Sequence, residues 1–143
     1  GMRLEIYDRY HGCGGEDCCF PEKYRPYVHG GVPYSAIRST IGTPCFAINV
    51  NTVTDSETMF ARRVFELMAC GCVILSNESR GMRRIFGDKV WFLGEECPVE
   101  RLDAIRQEAA RLVAEEHTWT SRWRYLVETI EAKKTTEQTE ETK

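Results

Sequence analysis

The stretch MFARRVFELMACGCVILSNES, Met59 to Ser79, restricts the fold more than any other part of the chain. A helical run ends at Gly71, and CVILS, a strand apolar almost throughout, follows at once. Such a strand is covered on both faces, as in a parallel sheet flanked by helices. The alternation recurs. RLEIYD (Arg3 to Asp8), PYVHGG (Pro26 to Gly31), CFAINV (Cys45 to Val50) and KVWFL (Lys89 to Leu93) are further short strands. PYSAIRSTIG, with Pro33 near its start and Gly42 past its end, and RGMRRIF read as helices between them. From Pro98 onward Val99, Leu102, Ile105, Ala109, Leu112 and Val113 recur at helical spacing, and a last helix carries Trp119, Trp123, Leu126 and Ile130 as an apolar stripe. The pattern predicts an α/β fold: one Rossmann-like domain over residues 2–132, with about five parallel strands and helices on both faces. The tail KKTTEQTEETK, residues 133–143, has no apolar anchor and is expected to be disordered.

The 143 residues suffice for one domain with a real core. A net charge of -3 offers no basic footprint for nucleic acid. No run approaches the roughly 20 apolar residues that span a bilayer, and the N-terminal stretch is not a signal peptide. Gly1-Met2 reads as a cleavage scar before a start codon, which points to an excised part of a longer protein. The seven cysteines are an odd number, against a fully paired disulfide framework. Cys45, Cys70, Cys72 and Cys97 lie in or beside apolar segments and read as reduced, small hydrophobes, which places the chain in the cytoplasm. Cys13, Cys18 and Cys19 share a Gly-rich loop with His11. They lack paired short-spaced ligand hooks, so an ordinary loop is expected there rather than a metal site.

In parallel α/β sheets ligands sit at the carboxyl ends of the strands, so the loops that follow the strands are the places to look. The polar loop NTVTDSET offers Asp55, Ser56 and Thr58 as caps for the helix that starts near Met59. At about 100° per residue, Thr58 lies at about −40°, Glu66 at about +40° and Arg63 at about +100° from Arg62. Two arginines and a carboxylate on one face of an otherwise apolar helix have two readings. One is a structural ion-pair cluster at the sheet edge, with Glu66 four residues from Arg62 and three from Arg63. The other is a site, in which arginines and helix amides hold a diphosphate and Glu66 accepts hydrogen bonds from a ribose diol.

With these residues in view, the chain resembles the C-terminal domain of GT-B-fold glycosyltransferases of the family 4-like group. It is most similar to their bacterial spore-maturation (CgeB-like) branch, through RVFELMACGCVILS, HTWTSR (His117 to Arg122) and the loop NVNTVTDSETMFARR. The likeness covers roughly Arg3 to Ile130. It implies a domain that binds a nucleotide-diphosphate sugar, with an unknown acceptor and no metal or cofactor. Glu66 corresponds to the second glutamate of the family's Glu-x7-Glu motif, which contacts the ribose. Thr58 replaces the first, which touches the donor sugar. Ser56, Glu57, Thr58, Met59 and Phe60 match the loop whose amides hold phosphate and sugar. Arg63, Arg62 and Arg9 are the phosphate partners implied, and His29, Gly30, Val32 and Tyr34 the lining of the base pocket. His117 is implied to cap or pack rather than to catalyse. No Asp-x-Asp motif appears. The resemblance also implies a missing N-terminal Rossmann-like domain that completes the active site, so that no catalytic residue is named and the chain alone is expected not to turn over.

A non-enzymatic α/β binding or signalling module, including a degenerate transferase domain, is the alternative. A receiver-type module wants clustered acids at the first strand end, where Asp8 stands alone, and an acidic acceptor after the third, where Asn49 and Asn51 stand. Trp91, Trp119 and Trp123 read as packing residues. RGMRR (Arg80 to Arg84) reads equally as a phosphate contact or a solvated helix face, and Glu78 as a residue near the ligand.

Overall fold

The computed structural model describes residues 3–13, 19–41 and 46–140, with side chains up to residue 134. The chain divides into two compact units, Gly1–Gly42 and Thr43–Lys143. The expected Cys45 and Gly42 boundaries lie outside the described residues.

In the first unit, β1 (Ile6–Asp8) pairs in parallel with β2 (Val28–Gly30), Ile6 opposite Val28 and Asp8 opposite Gly30. A 3-10 turn, Glu22–Tyr27, leads into β2. Pro33 opens a second one, Tyr34–Ala36, that runs into α1 (Ile37–Ile41), where the proline predicted a helix start. No described residue of this unit is buried.

The second unit carries the core. Three parallel strands, β3 (Phe46–Asn49), β4 (Val73–Ser76) and β5 (Trp91–Phe92), lie in the order β3-β4-β5. Around them run α2 (Arg63–Ala69), α3 (Arg80–Phe86), α4 (Leu102–Glu116) and α5 (Trp119–Glu140). The fold is thus mixed α/β with parallel strands, as expected, but the five strands fall into two sheets rather than one. Strands of two to four residues offer few ladder bonds, and β3 is not the doubly covered strand the pattern suggested. Ile48 is 59% exposed, while β4 contributes the fully buried Ile74. Val64, Met68, Met82, Phe86, Phe92, Ile105 and Ala109 are among the other core residues. Each larger side chain among them contributes about 1.5–3 kcal/mol by burial.

The unit that opened the sequence argument is built as its residues dictate. Val64 and Met68, four apart, are the buried stripe of α2. The helix stops at Gly71, whose φ of 82° is strained for any other residue. Gly71 N–H donates to the Met68 carbonyl and Cys72 N–H to that of Leu67, the paired bonds of a Schellman motif. Cys72 then enters β4 buried.

Four expectations are corrected. Helix α2 starts at Arg63, not Met59, because the chain from Asn51 to Arg62 is committed to other contacts described below. Val99, placed in the helical stripe, is 69% exposed in a 3-10 turn ahead of α4. Trp119 and Trp123 are exposed rather than packed. Helix α5 continues to Glu140, past the boundary at 132, since Glu131, Ala132, Lys133 and Lys134 are strong helix formers and no Gly or Pro follows. Residues 141–143 of the tail lie outside the described residues. No helix among the described residues is long and apolar enough to cross a membrane.

Candidate donor site at the strand ends

The carboxyl ends of β3 and β4 are joined by a polar cluster. Asn49 and Ser76, opposite each other in register, are both fully buried. The Asn49 amide donates to Ser76 Oγ at 3.0 Å and to Asn51 Oδ1 at 3.2 Å. Asn77 Oδ1 accepts from the Asn51 backbone at 2.8 Å, and its amide donates back to the Asn51 carbonyl at 2.9 Å. These bonds fix where the loop after β3 departs. Asn49 and Asn51, which took the place of an acidic acceptor in the sequence, are therefore the clasp between two strand ends.

The loop then lies along the start of α3. Thr54 and Ser56 carbonyls accept from Arg80 and Gly81 N–H at 2.8 and 2.9 Å. A Cβ at Gly81 would stand 3.1 Å from the Met59 carbonyl oxygen and 3.3 Å from Met59 N and the Ser56 carbonyl oxygen, so this approach needs glycine. Ser79 caps α3, its Oγ accepting from Met82 N–H at 3.3 Å. Ser56 caps a turn of the loop, its Oγ accepting from Thr58 and Met59 N–H at 3.3 and 3.2 Å. The amides of Thr58 and Met59 are thus engaged by the chain itself, and Thr58 stands outside the helix on whose face it was placed.

Phe60 turns inward. Its ring lies 5.3 Å from Phe65 and 5.2 Å from Phe86, and Phe65 lies 5.4 Å from Phe86 and 4.9 Å from His117. The Arg122 guanidinium sits over Phe65 at 5.0 Å. The two motifs RVFE and HTWTSR, more than 50 residues apart in sequence, therefore meet at Phe65. Burial lowers the pKa of His117, and the charge of Arg122 adds to this. A half-buried, neutral ring among aromatics is a packing residue, as the resemblance implied.

The charged stripe is outside this cluster. Glu66, in the first turn of α2, keeps 25% of its side chain exposed. Its Oε1 lies 3.3 Å from Nη2 of Arg62, whose side chain is 82% exposed. Arg63 is exposed beside them. The two arginines of the stripe are in solvent and Glu66 is half-buried, so the stripe lies at the surface of the unit. Val64 and Phe65 N–H at the helix start bond back to the Ala61 and Arg62 carbonyls at 3.1 Å each. They do not form the open amide cradle expected of a longer helix, and the cationic groups at this helix start are the two guanidinium groups.

An open groove of about 700 Å³ lies elsewhere, lined by Thr54, Glu57, Glu78, Ser79, Arg80, Arg83 and Arg84. Of the loop expected to hold phosphate and sugar only Glu57 lines it, together with Glu78 and the arginines of RGMRR; Glu66, Arg62 and Arg63 do not. Arg83 is bound by Glu95 at 2.8 Å and Glu78 at 3.3 Å, stacks 3.8 Å over the Phe92 ring, and has its pKa raised chiefly by Glu95. Arg84 is paired with Glu57 at 3.3 Å. These paired cations make a mixed-charge groove rather than an anion pocket. RGMRR thus combines one exposed end with a structural brace on β5, and Glu78 is part of that brace.

In the first unit Arg9 and the HGG turn are brought together. Gly31 lies so close that a Cβ would stand 2.8 Å from Arg9 Cα. Arg9 donates to the Tyr10 hydroxyl at 2.7 Å and covers its ring. His29 pairs with Glu5, which also holds Arg3, and its ring is 5.4 Å from Tyr7. Gly30 is open, Val32 half-buried and Tyr34 73% exposed. Cys13 and Cys19 are exposed, and Cys18 lies outside the described residues.

Parallel strands with polar loops at their carboxyl ends are the arrangement in which α/β domains bind ligands. A family model described as glycosyl transferase-like matches residues 5–128, and the chain belongs to that glycosyltransferase-like family. No curated protein and no solved structure matches the chain.

Of the structural residues around the site, sequence reasoning missed Gly81, Asn77 and the role of Phe60. Asn77 and Ser76 carried a signal, being polar residues at the end of a buried strand. Gly81 had none, because the loop that needs it comes from 25 residues upstream.

Proposed function

We propose that this chain is the donor-binding domain of a GT-B glycosyltransferase of the spore-maturation type. It binds a nucleotide-diphosphate sugar and transfers the sugar only together with an N-terminal domain that supplies the acceptor side. The observation that carries the reading is Glu66. It is a half-buried carboxylate in the first turn of the helix behind the β3 loop, its one ion pair among the described residues is with an arginine that is 82% exposed, and it lies within the family match. A pair so exposed is readily exchanged for a ligand. Glu66 would accept hydrogen bonds from the ribose hydroxyls, while Arg62 and Arg63 neutralise the diphosphate and stabilise it as leaving group. Transfer needs no metal in this scheme, and the thiols suit the reducing cytoplasm.

The test is calorimetric or NMR titration of the chain with UDP, GDP, ADP and CDP, beside Glu66→Ala. Saturable binding of one nucleotide, lost in a variant that keeps its fold, is the expected result and identifies the base. Equal binding by Glu66→Ala would remove Glu66 from the site, and binding of none by the folded chain would sink the reading of this domain as a donor site in its own right.

A further inference from the structure

The groove between the loop after β3 and the loop after β4, about 700 Å³, is of a size that holds a small molecule. Its three guanidinium groups are not alike. Arg83 is locked between Glu95 and Glu78 and against Phe92, and Arg84 faces Glu57 in a pair exposed on both sides. Arg80, also exposed, has no ion pair and no side-chain hydrogen bond among the described residues. It opens α3, whose first turn holds no acidic residue, at an end where a cation is ordinarily disfavoured. The backbone there is no anion site of its own. Arg80 and Gly81 N–H are spent on the Thr54 and Ser56 carbonyls, and Met82 N–H on Ser79 Oγ. One side chain is therefore left to recognise charge in the groove.

Around that cation the groove offers hydrogen bonds of both kinds. Ser79 is 1% exposed, its Oγ accepts from Met82 N–H, and its own proton has no acceptor among the described residues. Glu57 and Glu78 each give one carboxylate oxygen to an arginine and keep the other to accept from a hydroxyl. A hydroxyl, donor and acceptor at once, suits such a surface. A phosphate group, with about −1.5 to −2 charge, would face two carboxylates for one unanswered cation. A carboxylate brings the single charge that Arg80 leaves unanswered, and the planar guanidinium takes it through two parallel N–H bonds. We infer that the groove binds a sugar bearing a carboxylate, a hexuronic acid in class, with the carboxylate on Arg80 and ring hydroxyls on Glu57, Glu78 and Ser79. The inference rests on the proposed function only for the ligand's being a sugar, and it names the class of that sugar. The same chemistry could enter as the transferred sugar or as part of the acceptor.

The experiment is amide NMR titration of the full chain with methyl glucuronide, methyl glucoside and acetate, beside Arg80→Gln and Arg80→Lys. The glucuronide is expected to shift the Glu57, Ser79 and Arg80 amides and to saturate. The glucoside and acetate should each bind at least about tenfold more weakly, and Arg80→Gln should weaken the glucuronide at least about tenfold. Arg80→Lys keeps the charge but loses the fork, and should recover only part of the loss. Absence of a saturable shift in the folded chain, glucoside or acetate binding as well as the glucuronide, or indifference to Arg80→Gln would each overturn the proposal. The nucleotide titration is read separately. Nucleotide binding without glucuronide binding would remove this inference and leave the donor-site reading standing, and glucuronide binding without nucleotide binding would do the reverse. UDP-glucuronate against UDP tells the two sources apart. An Arg80-dependent gain in affinity makes the uronate the transferred sugar, and no gain, with the glucuronide bound, makes it part of the acceptor.

Discussion

Arg62→Ala separates the two meanings of the charged stripe. As a structural element, the Arg62 side chain has one partner among the described residues, Glu66, at 3.3 Å, with 82% of its side chain in water. An exposed pair of this spacing on a helix contributes about 0.3–0.5 kcal/mol. For a unit of about 100 residues that shifts the melting temperature by roughly 1–3 °C. As a ligand contact, a guanidinium bonded to a diphosphate contributes about 1.5–3 kcal/mol, so its removal weakens binding by about 10- to 150-fold. The two effects differ by enough to be read in one variant. Thermal melts by circular dichroism give the first, and titration with the nucleotide diphosphate that binds the parent chain gives the second. Arg63→Ala, at the next exposed position, should behave alike. The expected outcome is a near-native melt with a large loss of affinity. A fall of more than about 8 °C with affinity intact would show that the stripe holds the fold together, and the assignment of these arginines to a ligand would be wrong.

Three further outcomes are expected. Phe86→Ala removes a ring that is 1% exposed and touches Phe60 and Phe65, so unfolding in urea should show a loss of about 3–5 kcal/mol. Gly81→Ala should cost about 1–3 kcal/mol and, by pushing Ser56 to Met59 off α3, weaken nucleotide binding; unchanged stability and affinity would show that the loop does not need this approach. His117, its pKa lowered by burial and by Arg122, is protonated in the unfolded chain before the folded one. Stability should therefore be full above the ordinary histidine value of about 6.5 and fall as the pH drops through the folded value. Urea midpoints measured across that range should lose part of this slope in His117→Phe.

What the sequence made legible was local. Gly71 marked the end of α2, Pro33 the start of a helical segment and the apolar run CVILS a buried strand, because each depends on neighbours within a few residues. The start of α2 was not legible, since what competes for residues 51–62 is Asn77, Arg80, Gly81 and Phe86, all later in the chain. Helical periodicity extends as readily through a loop as through a helix, and Thr58 was placed on a face it does not share. The division into two sheets was hidden for the same reason: an apolar run shows that a strand is covered, not which strand it pairs with. The exposed stripe on α5 is the converse case. Trp119, Trp123, Leu126 and Ile130 were read correctly as one stripe, but spacing alone does not say whether the surface it covers belongs to the same chain.

The proposed site follows this division between local and distant information. Its chemistry, a carboxylate and two arginines within five residues, is written in one stretch. Its positioning is distributed: Asn49 and Ser76 clasp two strand ends, Gly81 admits the loop, and Phe60 anchors it beside Phe65 one residue from Glu66. Phe65 and Glu66 thus put one short helix to two uses, the ring in the aromatic cluster with His117 and the carboxylate beside the exposed Arg62 guanidinium. A substitution at Phe65 should consequently disturb binding through the orientation of α2, whereas one at Glu66 should disturb binding alone. That difference is the physical content of calling one residue structural and the other a ligand contact.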